Sequence, residues 1–170
     1  KKMHRLMLTS QAYRQSANPL QNPNSGKFFG TDPLVKDADN RLLWRANLRR
    51  LDFESIRDAM ILLTGKMDNT TGGRPVNITE EPISYRRSIY GFIDREHLSD
   101  LQSQFDFSDP DMANSRRGST IVPQQALFFM NNALSVEVAR AVVARREVVN
   151  AISDDFRITA LYRIMFQRTP

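Results

Sequence analysis

Cysteine is absent from this chain of 170 residues. That removes disulfides, thiolate nucleophiles, zinc-finger and iron–sulfur ligation, and the covalent haem attachment that needs two cysteines beside a histidine. Histidine is nearly absent too. His4 and His97 are far apart, and neither has a His or Glu companion at zinc-ligand spacing. No apolar run approaches the ~20 residues that a membrane-spanning helix requires. The G-x-S-x-G nucleophile elbow, the H-E-x-x-H metal helix and the G-x-x-x-x-G-K-[ST] phosphate loop are all missing. "TTGGRP" at 70–75 has the glycines of a nucleotide loop but neither its lysine nor a preceding strand, so it reads as an ordinary turn.

The composition that remains belongs to a soluble globular domain: 41% hydrophobic and 25% charged residues,. A chain of this length is one domain by the usual prior and buries roughly 70% of its unfolded surface without metal or disulfide staples. The net charge of +5 is uneven. Residues 1–50 hold ten Lys and Arg against three Asp, a net +7, whereas residues 51–170 carry a net −2. Arginine outnumbers lysine nineteen to five. A guanidinium offers a planar fork for carboxylates or phosphates, so this excess implies partners inside or outside the chain.

The spacing predicts a mainly α domain of about six helices with long loops and at most one short β-strand pair. The chain begins inside an amphipathic pattern, with Met3, Leu6, Met7 and Tyr13 at helical spacing, and that helix should end near Ser16, ahead of Asn18-Pro19,. This opening suggests a piece excised from a longer multi-domain protein. Residues 18–33 read as a loop, with Phe28 and Phe29 tucking back onto the core. From Asp39, "DNRLLWRANLRR" reads as a helix with Arg41, Arg45 and Arg49 on one face,. Asp37 forms a helix-surface pair with Arg41. "LDFESIRDAMILLTG" predicts a helix ending at Gly65 as an αL cap,. Residues 68–84 form a second loop and "SIYGFI" at 88–93 is the best strand. A helix over 94–105 should be capped by Asp94, with Leu98, Leu101 and Phe105 inward,. Pro123 starts another helix, and Ser135 and Ser153 are the expected caps of the last two,.

The candidate chemistry lies in two places. "FDFSDPDMANSRR" at 105–117 gathers Asp106, Asp109, Asp111, Asn114, Arg116 and Arg117. A calcium loop would need acids at alternate positions and a glycine at the sixth, and that match is poor. An acid/base pair would need two carboxyls across a cleft with separated pKa values. The stronger reading is a clamp. Short aspartates cap turn N–H groups around Pro110, an arginine forks onto a carboxylate, and Phe105 and Phe107 anchor the loop by burial. The second place is the Arg41, Arg45 and Arg49 stripe, either a solvated or internally paired face or a grip for a polyanion or glycan. It lacks exposed stacking aromatics and any nucleic-acid motif.

Several stretches together resemble a known family: "HRLMLTSQAYRQS" at 4–16, "NRLLWR" at 40–45, "LDFESIRDAM" at 51–60, "RRSIYGFIDRE" at 86–96, "FDFSDPDMANSRR", "TIVPQQALFFMNN" at 120–132 and "ALYRIMFQRTP" at 160–170. The succession is similar to the C-terminal domain of unknown function in large planctomycete-type proteins that also carry a cytochrome c-like haem domain. The resemblance implies an exported, periplasmic or cell-surface protein whose other domains are this domain's partners. It implies haem in a different domain, since this one has no attachment cysteines and no cofactor of its own. The residues suggest a non-catalytic structural or interaction module. Two alternatives stay open: an accessory or catalytic domain in extracellular polysaccharide or redox metabolism using the acidic loop, and polyanion binding by the basic N-terminal half.

Overall fold

The computed structural model describes residues 1–18 and 33–170. These fall into two compact units, Lys1–Arg50 and Leu51–Pro170. Among the described residues the structure is mainly α, with eight α-helices and no extended strand. The expected number was about six; two of the eight, α2 and α7 below, are single turns of four residues.

In the first unit, α1 spans Lys2–Thr9 and α2 spans Pro33–Lys36. The first helix stops well before Ser16. The Ser10 hydroxyl donates to the Met7 carbonyl at 2.7 Å and accepts from the Tyr13 amide at 3.3 Å, a local alternative to helical bonding,. The expected loop of residues 18–33, with Phe28 and Phe29, lies outside the described residues except at its two ends.

Residues 39–50 are not helical, so the reading of Arg41, Arg45 and Arg49 as one helix face is corrected. Side chains take the backbone groups that a helix would pair. The Asp37 carboxylate accepts the amides of Arg41 at 2.9 Å and Leu42 at 2.8 Å. The buried Asn40 accepts the Arg45 amide at 3.2 Å and donates to the Arg45 carbonyl at 2.8 Å and to Asn47 Oδ1 at 2.9 Å. Asn40 and Leu43 both sit at φ 55°, left-handed positions that no α-helix contains,. Trp44 is buried and donates from Nε1 to the Asp37 carbonyl at 3.0 Å.

The second unit holds α3 (Phe53–Thr64), α4 (Asp100–Gln104), α5 (Pro123–Asn131), α6 (Ala133–Val143), α7 (Arg146–Val149) and α8 (Asp154–Phe166). Phe53, Arg57 and Ile61, four residues apart, form the buried line of α3,. Gly65 closes that helix at φ 74°, the left-handed cap expected of it,. Ile61 packs with Leu134, Val138 and Val142 of α6 in one core cluster. Phe53 packs with Ile78 and Phe105 in a second, onto which Leu101 and Phe128 close.

Helix starts follow local capping chemistry. Pro123 occupies the first turn of α5, and the Ser153 hydroxyl accepts the Phe156 amide at the start of α8. Elsewhere three expectations are corrected. The cap of α6 is Asn132, whose Oδ1 accepts the Leu134 amide at 2.9 Å, while Ser135 lies inside the helix. Asn132 also ends α5, and the two helices meet there with a 55° bend. The helix expected over 94–105 begins only at Asp100, capped by Ser99. Asp94 instead closes a turn by accepting the amides of Glu96 at 3.0 Å and His97 at 3.3 Å,. Finally, residues 88–93 form no strand: Ser88–Tyr90 is a 3₁₀ turn, and Val76 and Gly91 make only an isolated bridge. A Cβ on Gly91 would lie 2.5 Å from Ile78 Cδ1 and 3.0 Å from the Ser88 carbonyl oxygen, so a larger residue there would have to displace the Ile78 side chain.

Candidate functional site

The most organised polar region of the second unit is the layer of loops held against α3. Its centre is Arg57, one turn from Phe53 and one from Ile61 on the buried line, and only 3% exposed. Its guanidinium donates from Nε to the Ile78 carbonyl at 3.2 Å, and from Nη1 to the Arg86 carbonyl at 3.0 Å and Ser88 Oγ at 3.2 Å. Nη2 donates to the Ser84 carbonyl. Burial pushes the Arg57 pKa down from its ordinary value, and the neighbouring Asp58 carboxylate opposes that push,.

The next residue continues the capture. Asp58 Oδ1 accepts the Ser88 amide at 2.7 Å, and Oδ2 faces Arg87 Nε at 3.5 Å. These bonds from α3 curl the chain at Ser88 into the 3₁₀ turn, which accounts for the missing strand. Arg86 reaches back across the loop before it. It donates to the carbonyls of Arg74 at 3.0 Å, Thr70 at 3.2 Å and Gly72, and its guanidinium stacks 4.3 Å from the Tyr90 ring centroid. "TTGGRP" is thus a turn wrapped on an arginine, as its composition suggested.

Arg117 is the third station. Nη1 meets both carboxylate oxygens of Glu54, at 3.1 and 2.9 Å, with Asp52 Oδ2 3.7 Å away. Nε donates to the Asp106 carbonyl at 3.2 Å, and the guanidinium lies 4.7 Å from the Phe107 ring centroid,. The acids of α3 therefore receive the arginine of the 105–117 loop. Asp106, itself at φ 57°, accepts the Thr120 amide at 2.8 Å and hydroxyl at 2.7 Å. Asp109 Oδ1 takes the Asp111 amide at 2.9 Å, bridging Pro110. Asp111, Asn114 and Arg116 are exposed, and Asn114 donates only a long 3.5 Å bond to the Met112 carbonyl. Phe105 is buried and Phe107 half-buried. Arg41, Arg45 and Arg49 belong to the other unit; Arg41 and Arg49 are exposed, and Arg45 is half-buried beside the Trp44 ring.

A groove of about 390 Å³ beside this layer is lined by Asp52, Glu54, Asp58, Arg87, Ile78, Ile93 and Phe107 among others. Two of its acids, Glu54 and Asp58, face Arg117 and Arg87. Among the described residues no group of three His, Asp or Glu is placed to hold a metal ion.

A family model for proteins of unknown function (PSD1, DUF1553) matches the chain over residues 1–170. The chain belongs to that family. No curated protein and no solved structure matches this PSD1-family chain. In it, one further cluster ties α6 to the loop after α3. Glu137 accepts Lys66 Nζ at 2.5 Å and the Tyr85 hydroxyl at 2.7 and 2.9 Å. The hydrogen bonds from Lys66 and then Tyr85 hold the Glu137 carboxyl below the usual carboxylate range, and the bond to Glu137 raises the Lys66 ammonium,. Asp68 is likewise lowered, by hydrogen bonds from the Thr70 hydroxyl and amide.

Sequence reasoning passed over Arg57, Asp58, Glu54 and Arg86. A signal for Arg57 was available: it occupies a position between Phe53 and Ile61 where the helical period demands an apolar side chain,. An arginine there has to satisfy its donors inside the fold.

Proposed function

We propose that the chain is a non-catalytic structural or interaction module of a larger exported protein of planctomycete type, with the parent protein's other domains as its partners. Any haem belongs to one of those domains, because this chain has no attachment cysteines,. The observation that carries the reading is the use made of the charged groups in the second unit. The guanidiniums of Arg57 and Arg86 point at backbone carbonyls, and Asp58, Asp106 and Asp109 receive backbone amides. Such groups position loops and leave little polar capacity for a reacting substrate.

The test is to produce this chain and the remainder of its parent protein as separate polypeptides and measure their association by calorimetry. Binding, with no turnover of polysaccharide or redox substrates by this chain alone, is the expected result. Absence of binding would overturn the reading. So would turnover that Asp109→Asn or Asp111→Asn abolishes at an unchanged thermal midpoint.

A further inference from the structure

The first unit presents a surface that the loop clamp does not involve. In α1, Met3, Leu6 and Met7 are 65%, 68% and 51% exposed, and no residue of the helix is buried. Spaced i, i+3 and i+4, they form one apolar stripe; Lys2 flanks it beside Leu6, and Arg5 lies on the opposite side with Leu8, itself 52% exposed,. The helix contains no acid. A second observation concerns charge. The ten Lys and Arg of residues 1–50 face only three Asp, and one of these, Asp37, has its carboxylate on the amides of Arg41 and Leu42.

We propose that α1 docks this unit on an anionic lipid bilayer surface. A soluble polyanion would satisfy the cations but leave the Met3, Leu6 and Met7 stripe in water. An anionic bilayer interface complements both faces at once: acyl boundary for the stripe, headgroup phosphates for Lys2 and Arg5. Tyr13, 66% exposed just beyond the helix, has the amphipathic ring that suits the headgroup level,. The helix lies along the surface. At eight residues it is about 12 Å long, and no single helix among the described residues is long and apolar enough to cross a membrane,. The inference is independent of the module reading above, since it concerns a different unit and a different kind of partner.

The experiment is co-sedimentation of the whole chain with phosphatidylcholine vesicles, with and without phosphatidylglycerol. Binding is expected only with the anionic lipid, and weaker at high salt. Leu6→Glu and the double variant Lys2→Glu/Arg5→Glu should each lower the partition coefficient at least about tenfold. All three side chains are exposed, so helix content by circular dichroism should stay constant. No binding, or equal binding to neutral vesicles, overturns the proposal. So does a Leu6→Glu variant that partitions like the parent chain; heparin retention equal for both would then assign the charge to a soluble polyanion.

Discussion

Arg57 illustrates how a charged side chain can organise a fold from inside. An arginine buried beneath loops is costly unless its fork of donors is met, and here carbonyls of Ile78, Ser84 and Arg86 meet it,. Lysine carries the charge but not the fork, so Arg57→Lys should strand several of these carbonyls and destabilise the chain by about 3 kcal/mol. Urea denaturation measures this, and a loss below about 1 kcal/mol would show that the fork is not what holds the loop. Glu137 gives a prediction with a sign. Its folded pKa lies below its unfolded value, so the stability it contributes is complete above about pH 4.3 and disappears as pH falls through the folded value,. Lys66 is raised, so its share is complete below about pH 10.4 and is lost as pH climbs through its folded value,. Stability curves for the parent chain and Glu137→Gln should therefore be furthest apart near neutrality and converge in acid. A gap that is constant with pH would remove the Lys66–Tyr85–Glu137 cluster as its source.

Helix boundaries are decided by which side chain reaches a free amide first. At the start of α6 two candidates stand three residues apart. Asn132 caps the Leu134 amide, whereas the Ser135 hydroxyl is buried without a hydrogen-bond partner among the described residues. Asn132→Ala should cost about 1 kcal/mol, and Ser135→Ala should be neutral or mildly stabilising. Thermal unfolding of the two variants separates the alternatives, and the reverse ranking would place the cap at Ser135. The same competition explains what was readable in advance. Helix α3 could be read because its apolar period and Gly65 agree, and α5 and α8 because Pro123 and Ser153 act on their own neighbours. Residues 39–50 misled because their helical spacing is real, yet Asp37 and Asn40 reach the backbone amides first. The apolar run at 88–93 misled for a non-local reason: Asp58, thirty residues earlier, holds the Ser88 amide. Of the 105–117 loop, the turn at Pro110 and the anchoring by Phe105 could be foreseen. The bonds from Arg117 Nη1 to both oxygens of Glu54 could not, because that pairing spans sixty-three residues and depends on the packing of α3.

At the scale of the molecule, charge and core are divided along the same line. Among the described residues both core clusters lie between Leu51 and Pro170, and so do the arginine stations built on Arg57, Arg86 and Arg117. That unit has a nearly balanced net charge of −2, whereas Lys1–Arg50 carries +7 and, among its described residues, buries Pro33, Asp37, Asn40 and Trp44. A unit owns its stability when its buried apolar clusters and its polar satisfaction are internal. Residues 51–170 alone should therefore unfold in one cooperative transition, with a urea slope in proportion to their length and with Arg57→Lys costing as much as in the whole chain. Additivity supports that last comparison, since the described hydrogen bonds of Arg57 run to Ile78, Ser84, Arg86 and Ser88 of its own unit,. Raising salt should affect the whole chain more than the shorter one, because screening relieves repulsion among the cations of residues 1–50. A non-cooperative melt of residues 51–170, or an Arg57→Lys penalty that vanishes there, would mean that the second unit's order is borrowed from the first.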